Sequence, residues 1–573
     1  CASDDETFMH AAAGGMGMYN QHHYQGIAPG HDFVNPLAPE FVDIHDPRGV
    51  EWVKENGGKF GREQGSNPLV VGVQLANEMY WSFNGCPCPT AAADEHFRNW
   101  CKQRHGDLAT LNDRWGTDYG DWSQVDQVIS AKFYQKLLAE KDNQVPGGWG
   151  MLHWGASWPK EAVAELDRLP GKTMDWMRWR TETGVEGYKT FRDAAKEVDP
   201  RTLYGTDLPI ANFYKYFFMP FVRAMDAAMI NVRYTSGYQN SFGVPHECMA
   251  SIEMAESVAD EQSKPFWGIE VYHQPYWPAE SAGLQNWGLV AHGMDLTLIF
   301  SWYPFSDRGT PNDILEWEKR RFKETDDPFE RACWYMIDAD GAHLPAYESY
   351  ARTLREIRRY HESFDGRSIK RFPTDVAYYA SNDTGEYATL TTRSAPWGAL
   401  SERASYTVCY LLRMAGVAAD FVDDATLPEQ PGEYKTLVVP LSPVLSQEAA
   451  GRIAGFAKAG GTVVLAGVSG QRDPWLRKYE NLGGPAWAEL AWTAPEYREE
   501  FGRYVFDEGI ALPEEPGRSA TDTAGTPEEK RDETLNEAKL FRGVDFGVVA
   551  QAEPIRDAAG QVIGWQRPWG QGR

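Results

Sequence analysis

No run of apolar residues in this chain approaches the roughly 18–20 that a membrane-crossing helix needs, so no segment reads as a membrane span. Cysteine is sparse: 7 in 573 residues, at positions 1, 86, 88, 101, 248, 333 and 409. Thiols scattered in this way make no disulfide framework. They favour a reducing, cytoplasmic setting; a secreted protein, or one lipid-anchored through Cys1, is the alternative. Positive charge is also short, with 56 Lys and Arg against 82 Asp and Glu, a net charge of −26. That balance opposes phosphate backbones, whose affinity comes from cation contacts, and anionic membranes. Nucleic acid and membrane are therefore not expected partners. An uncharged ligand remains open. No Gly-rich phosphate loop opens a helix, and no internal repeat is apparent.

Aromatic residues, by contrast, are plentiful: 22 Trp, 27 Tyr and 26 Phe. Most such side chains belong to cores, but their faces also stack on the apolar faces of sugar rings. A carbohydrate ligand fits both the composition and the charge.

The chain is too long for one domain. From about residue 5 to 360, short apolar strands alternate with amphipathic helices, the pattern of parallel β/α units. Strands are expected at Met16–Asn20, Val70–Glu78, Arg201–Asp207, Met225–Tyr234, Pro265–Tyr272 and Leu296–Phe305. Helices are expected at Asp94–Arg104, Val185–Glu197, near Cys248–Ala259, at Asn286–Asp295 and at Tyr347–Phe364. The fold class is α/β: a (β/α)8 TIM barrel followed by a smaller doubly wound α/β domain. Six strands stand where eight are required, and the visible series begins in mid-helix, so the barrel is expected to lack units that precede Asp5. The domains are expected at 1–370 (barrel), 371–495 (flavodoxin-like α/β domain) and 496–573 (an extended linker, then the start of a β-rich segment).

Two strand ends carry chemistry. Val70-Val-Gly-Val-Gln-Leu-Ala-Asn77-Glu78 is an apolar run ending in an amide and a carboxylate, and Lys264-Pro-Phe-Trp-Gly-Ile-Glu270 has the same form. Barrel enzymes keep their reacting groups at the C-terminal ends of strands. A retaining glycosidase needs two carboxyls about 5–5.5 Å apart, one to protonate the leaving oxygen and one to attack the anomeric carbon. Glu78 reads as the acid/base and Glu270 as the nucleophile. Asn77 is placed for the sugar 2-hydroxyl and Tyr234 to donate to Glu270. His22 and His23 follow the first strand on the same face, and His23 is a candidate sugar contact. Trp277 and Trp302 are candidate stacking platforms.

The segments Gly72–Glu78, Cys86-Pro-Cys88, Phe97-Arg-Asn-Trp100 and Leu111-Asn-Asp-Arg-Trp-Gly116 resemble family 42 of the glycoside hydrolases, the β-galactosidases of clan A. Phe266–Glu270, Ala291-His-Gly-Met-Asp295, Phe300-Ser-Trp302 and Asp338-Ala-Asp-Gly341 resemble the same family, and 375 to about 492 resembles its trimerisation domain. The resemblance implies a metal-independent retaining mechanism with its two carboxyls at Glu78 and Glu270, no cofactor, and a homo-oligomer, a trimer. Many members hold a structural zinc with four cysteines; here Ala91 stands near the expected place of a third, and zinc is not expected. The family also places Glu and His, three apart, on a galactose hydroxyl. This chain has Glu316 and then Lys319.

The expected activity is cleavage of terminal β-galactosides or related β-linked oligosaccharides. The Glu316–Lys319 departure keeps other clan A glycosidases in view, acting on agaro-, gluco- or fuco-oligosaccharides. A sugar-binding relative without catalysis is a third reading, and both carboxylates argue against it. An amidotransferase-like activity of the second domain would need a His, and residues 375–495 contain none.

Overall fold

In the computed structural model the described residues are 18–21, 31–75, 87–140, 160–206, 208, 218–232, 245–272, 279–300, 343, 345–363, 373–391, 408–409, 411–413, 415–466 and 469–490, with short strand segments at 497–500, 503–506, 553–556 and 562–566. The chain begins with strand β1 (Met18–Gln21), then a short hairpin of β2 (Val34–Asn35) and β3 (Ala38–Val42). Helix α1 (Pro47–Gly65) starts where Pro47 fixes φ and Asp46 accepts from the Arg48 backbone N–H. Strand β4 (Val70–Gln74) follows.

Helix α2 (Ala91–His105) is capped by Thr90 and α3 (Leu108–Trp115) by Asp107. Glycines 106 and 116, at φ 77 and 68, end them with the backbone sense that side chains resist. Helices α4 (Ala131–Glu140), α5 (Lys160–Arg168) and the long α6 (Pro170–Val198) come next. After them run β5 (Leu203–Gly205), α7 (Phe218–Ala224), β6 (Ala228–Val232), α8 (Pro245–Gln262) and β7 (Phe266–Tyr272). Helix α9 (Ala279–Ala291), β8 (Leu296–Phe300) and α10 (Pro345–Ser363) complete the series.

Two parallel three-stranded sheets result, β1-β4-β5 and β6-β7-β8. They meet at β5 and β6, where Asp226 N–H donates to the Tyr204 carbonyl at 2.8 Å and Asn231 N–H to that of Leu208 at 3.2 Å. The six expected strands are all present among the described residues. Val70–Glu78 is described as strand only as far as Gln74. Helix α9 begins before the expected Asn286 and ends at Ala291 rather than Asp295, where Gly293 at φ 75 turns the chain into β8.

Helix α6 is the main departure from expectation: it starts at Pro170, not near Val185. Residues 171–181 are buried on every side, so the alternation of faces that marks a surface helix is absent there. Helix α1 lies against it at backbone distance. A Cβ on Gly57 would stand 2.5 Å from the Phe191 carbonyl oxygen, and one on Gly61 2.4 Å from that of Ala195. Glycine one turn apart is what lets the two helices touch.

Residues 376–465 form a second parallel sheet of β9 (Val376–Tyr379), β10 (Asp420–Val422), β11 (Thr436–Val439) and β12 (Thr462–Leu465), in the order β10-β9-β11-β12. Helix α11 (Asn382–Thr391) follows β9, and α12 (Gln447–Lys458), capped by Ser446, precedes β12. The chain therefore has the doubly wound α/β unit expected after its barrel. Alternate residues divide its faces. Tyr378, Phe421 and Val438 join the barrel core, while Tyr379, Leu437 and Val439 pack with Ile453, Phe456 and Trp487. Helix α8 of the barrel closes the first face, where Ser257 Oγ accepts from the Phe421 N–H at 2.8 Å.

A buried polar cluster ties the two units together. Arg178 of α6 donates to Asp175 at 3.0 Å, to Asp383 at 2.8 Å and to the Pro474 carbonyl at 2.8 Å, and pairs with Glu386 at 2.9 Å. No described helix is long and apolar enough to cross a membrane.

Candidate active site

The C-terminal half of β7 breaks the regular pairing. Strands β6 and β7 match from Ala228 with Phe266 to Asn231 with Ile269, and the next pair is Val232 with Val271. Against β8 the pairs Gly268–Thr297 and Val271–Ile299 again leave one residue of β7 over. Residue 270 is that extra residue, a β-bulge.

The bulge changes the phase of the pleat. The Trp267 ring lies 2.2 Å from where a Cβ on Gly72 would be. Gly72 belongs to the other sheet, so this contact crosses the barrel interior. Met229, paired with Trp267, shares that inner face, and its sulfur packs on Gly205. Two residues further on, Asn231 and Ile269 take the same face. Gly268 faces the other way, toward the Met294 sulfur, and Val232 and Val271 both approach it, at 3.1 and 3.4 Å from its Cβ position. Strict alternation from Ile269 would carry Val271 inward. It stands outside.

Of the residues singled out in the sequence, Glu270 lies in the described part of β7. Asn77, Glu78, His22, His23, Tyr234, Trp277, Trp302 and Glu316 lie outside the described residues. Their approach is partly visible: buried Leu75, continuing β4, donates its N–H to the Gly205 carbonyl at 2.8 Å. The opposite end of the barrel is closed by charge. Burial pushes the Lys264 ammonium down to about 7, and it donates to the Val222 and Met225 carbonyls. That end of a barrel serves stability.

The zinc site of the resembling family is not reproduced in kind. Ala91 is the first residue of α2 and offers no ligand. Among the described residues, the Asp, His and Cys side chains that come together are Asp43, His45 and Cys88, with donor atoms within 4.8 Å. They offer one oxygen, one nitrogen and one sulfur where four thiolates are implied. The carboxylate is already engaged: Oδ1 accepts from His45 N–H at 2.9 Å and contacts Nδ1 at 2.8 Å, and Oδ2 accepts from Thr90 Oγ at 2.6 Å. A four-cysteine zinc does not fit this set.

Two features escaped the reading of the sequence. Asn231 was passed over inside an apolar strand; a lone amide in Ala227-Ala-Met-Ile-Asn-Val232 was the available signal. The Asp175–Arg178 cluster had none, since its partners stand up to 300 residues away.

Comparison with known proteins joins these observations. Residues 51–311 match the family model of the family 42 glycoside hydrolases, described as β-galactosidase, and residues 409–496 match that of the β-galactosidase trimerisation domain. The first segment contains Asn77, Glu78 and Glu270. The β-galactosidase BgaH of Haloferax lucentense is 24% identical over 454 residues, covering 73% of this chain and 56% of its own length. The β-galactosidase Bga of Halorubrum lacusprofundi is 23% identical over 433 residues, covering 71% and 52%. The chain thus spans about half the length of the curated relatives it matches. The solved β-galactosidase of the psychrophilic Marinomonas ef1 superposes with a TM-score of 0.57 at 15% identity, over 80% of this chain and 65% of that one, and shows the fold to be shared. Barrel and following α/β unit each match a segment of one family, the β-galactosidases of glycoside hydrolase family 42.

Proposed function

We propose that this protein is a retaining β-galactosidase that cleaves terminal β-galactosides, or related β-linked oligosaccharides, by double displacement. Glu270 attacks the anomeric carbon while Glu78 protonates the leaving oxygen; Glu78 then takes a proton from the water that releases the sugar. The observation that carries the reading is the bulge in β7, within the matched family segment. An extra residue at 270, between the inward Trp267 and Ile269 and the outward Val271, supports a place for that position on the inner face. Without the extra residue it would fall on the outer face with Gly268.

Around this pair, Asn77 is proposed to bind the sugar 2-hydroxyl and Tyr234 to donate to Glu270. His23 and Glu316 are proposed to contact other hydroxyls, and Trp277 and Trp302 to stack on the ring. The reaction needs no cofactor. The chain divides at 370/371 and 495/496 in this reading. Its second unit assembles the protein as a homotrimer, which sedimentation equilibrium measures directly. A cytoplasmic location accords with the buried, non-disulfide thiols of Cys88, Cys101 and Cys409.

Glu270→Ala tests the mechanism: turnover of an aryl β-galactoside is lost, and azide restores it by attacking from the vacated position. Full activity in that variant overturns the assignment. A panel of aryl β-glycosides tests the sugar, and turnover of the glucoside or fucoside without the galactoside rejects galactose.

A further inference from the structure

We propose that Asn231 is a positioning residue of this glycosidase, its amide holding a trapped water against the carboxylate of Glu270. The proposal rests on the reading of Glu270 as nucleophile.

Asn231 is 0% exposed, and among the described residues neither its Oδ1 nor its Nδ2 has a hydrogen-bond partner. Its place is specific. It is the residue of β6 paired last before the bulge, and it stands on the inner face of the barrel beyond Met229. An amide buried with both ends unmet costs about 1–3 kcal/mol for each unsatisfied group. An aliphatic residue would fill this strand position without that cost, as Ile230 and Val232 do on either side. Other buried oxygens also lack partners among the described residues, the Tyr204 and Thr202 hydroxyls included. Tyr204 packs outward, its ring 6.4 Å from that of Phe60 on α1, and a hydroxyl can turn to suit its surroundings. The amide cannot, and it offers four hydrogen-bonding sites.

Buried waters settle where two to four polar groups converge. A nucleophilic carboxylate in a retaining glycosidase must stay ionised and hold one direction. A water that accepts from Asn231 Nδ2 and donates to the carboxylate does both, because a donor to the charged form favours it.

The test compares Asn231→Leu and Asn231→Ser with the unaltered chain, measuring kcat, KM and the pH profile of kcat/KM on an aryl β-galactoside. Leu has the branching and heavy-atom count of Asn, with somewhat more bulk and no polar atom; Ser leaves room for a water and gives it a partner. The Leu variant is expected to lose roughly 10- to 100-fold in kcat, the worth of one hydrogen bond to a charged group. Its acid limb moves to higher pH, since losing a donor favours the neutral carboxyl. The Ser variant recovers most of both, and carries the test alone if Leu does not fold. A folded Leu variant within threefold of the parent with an unmoved acid limb overturns the proposal. So does a loss confined to KM, which would mean a direct sugar contact. Glu270→Ala separates the two readings. If it stays active, the nucleophile assignment fails first; if azide rescues it while the Asn231 variants are unchanged, the role of Asn231 alone is refuted.

Discussion

Trp475 donates its indole N–H to Oδ2 of Asp175 at 2.7 Å, across 300 residues of sequence. Trp115 donates to the same oxygen at 2.7 Å, and His105 Nε2 lies 3.1 Å from it. Oδ1 takes Arg178 at 3.0 Å and Arg104 at 3.4 Å. One wholly buried carboxylate therefore gathers α2, α3, α6 and the segment after β12. Removing one partner of a buried ion pair costs about 3–5 kcal/mol, because the other charge stays buried. Asp175→Ala is expected to lower stability by that order. Trp475→Phe loses a single hydrogen bond to a charged group, about 1.5–3 kcal/mol. Urea unfolding of each variant, followed by tryptophan emission, measures both; equal midpoints for Asp175→Ala and the parent would refute the role.

The same carboxylate predicts how the fold fails in acid. Burial alone would raise its pKa, but the His105 hydrogen bond and the Arg178 and Arg104 charges outweigh it and hold the group down to about 2, against an ordinary 3.8. A carboxyl whose folded pKa is depressed contributes stability that is full above its unfolded value and lost as pH falls through the folded one. The contribution of Asp175 is therefore intact above about pH 4 and disappears toward pH 2. Melting temperatures should fall more steeply over that interval in the parent than in Asp175→Asn.

Asp94 has the opposite sign. Its Oδ2 accepts from the Ala131 N–H at 3.0 Å, and no cation is among the groups that shift it. Burial raises its carboxyl from 3.8 to about 6. A raised acid contributes stability below its unfolded pKa and loses it as pH rises through the folded value. Asp94→Asn keeps an acceptor and removes the charge. It is expected to be more stable than the parent at pH 8 by roughly 1–3 kcal/mol, with the gain gone by pH 4. Paired melting curves at the two pH values decide it.

Gly72→Ala addresses the barrel interior. Its Cβ would meet the Trp267 ring at 2.2 Å, and overpacking of this kind costs about 1–3 kcal/mol. Trp267 lies on the strand that carries Glu270, so kcat is expected to fall with stability. Trp267→Phe opens space, and the double variant should lose less than the sum of the singles. Strict additivity in the cycle would show that the two side chains do not meet.

The strands were legible because parallel strands buried on both faces are continuous apolar runs, as in Ala228–Val232. Helix α2 was legible from its amphipathic pattern. Helix α6 was half hidden, since its first turns bury Asp175 and Arg178 among apolar residues and so erase the polar face by which a helix is located. Glu270 stands out in the sequence because a carboxylate interrupts an apolar run. The bulge was invisible. Nothing in Trp-Gly-Ile-Glu-Val announces an extra residue, which exists only relative to the pairing of β6 and β8. Asn231 was missed for the converse reason: its meaning lies in having no partner, and partners are not written in sequence.

The bulge also sets what kinds of change this strand can absorb. A substitution leaves the number of residues between Gly268 and Val271 intact, and with it the face each presents. A one-residue deletion there would bring the pleat back into step and turn every later residue of β7 to the opposite side. The face that each residue of this strand presents is thus encoded in a count of residues as much as in their identities.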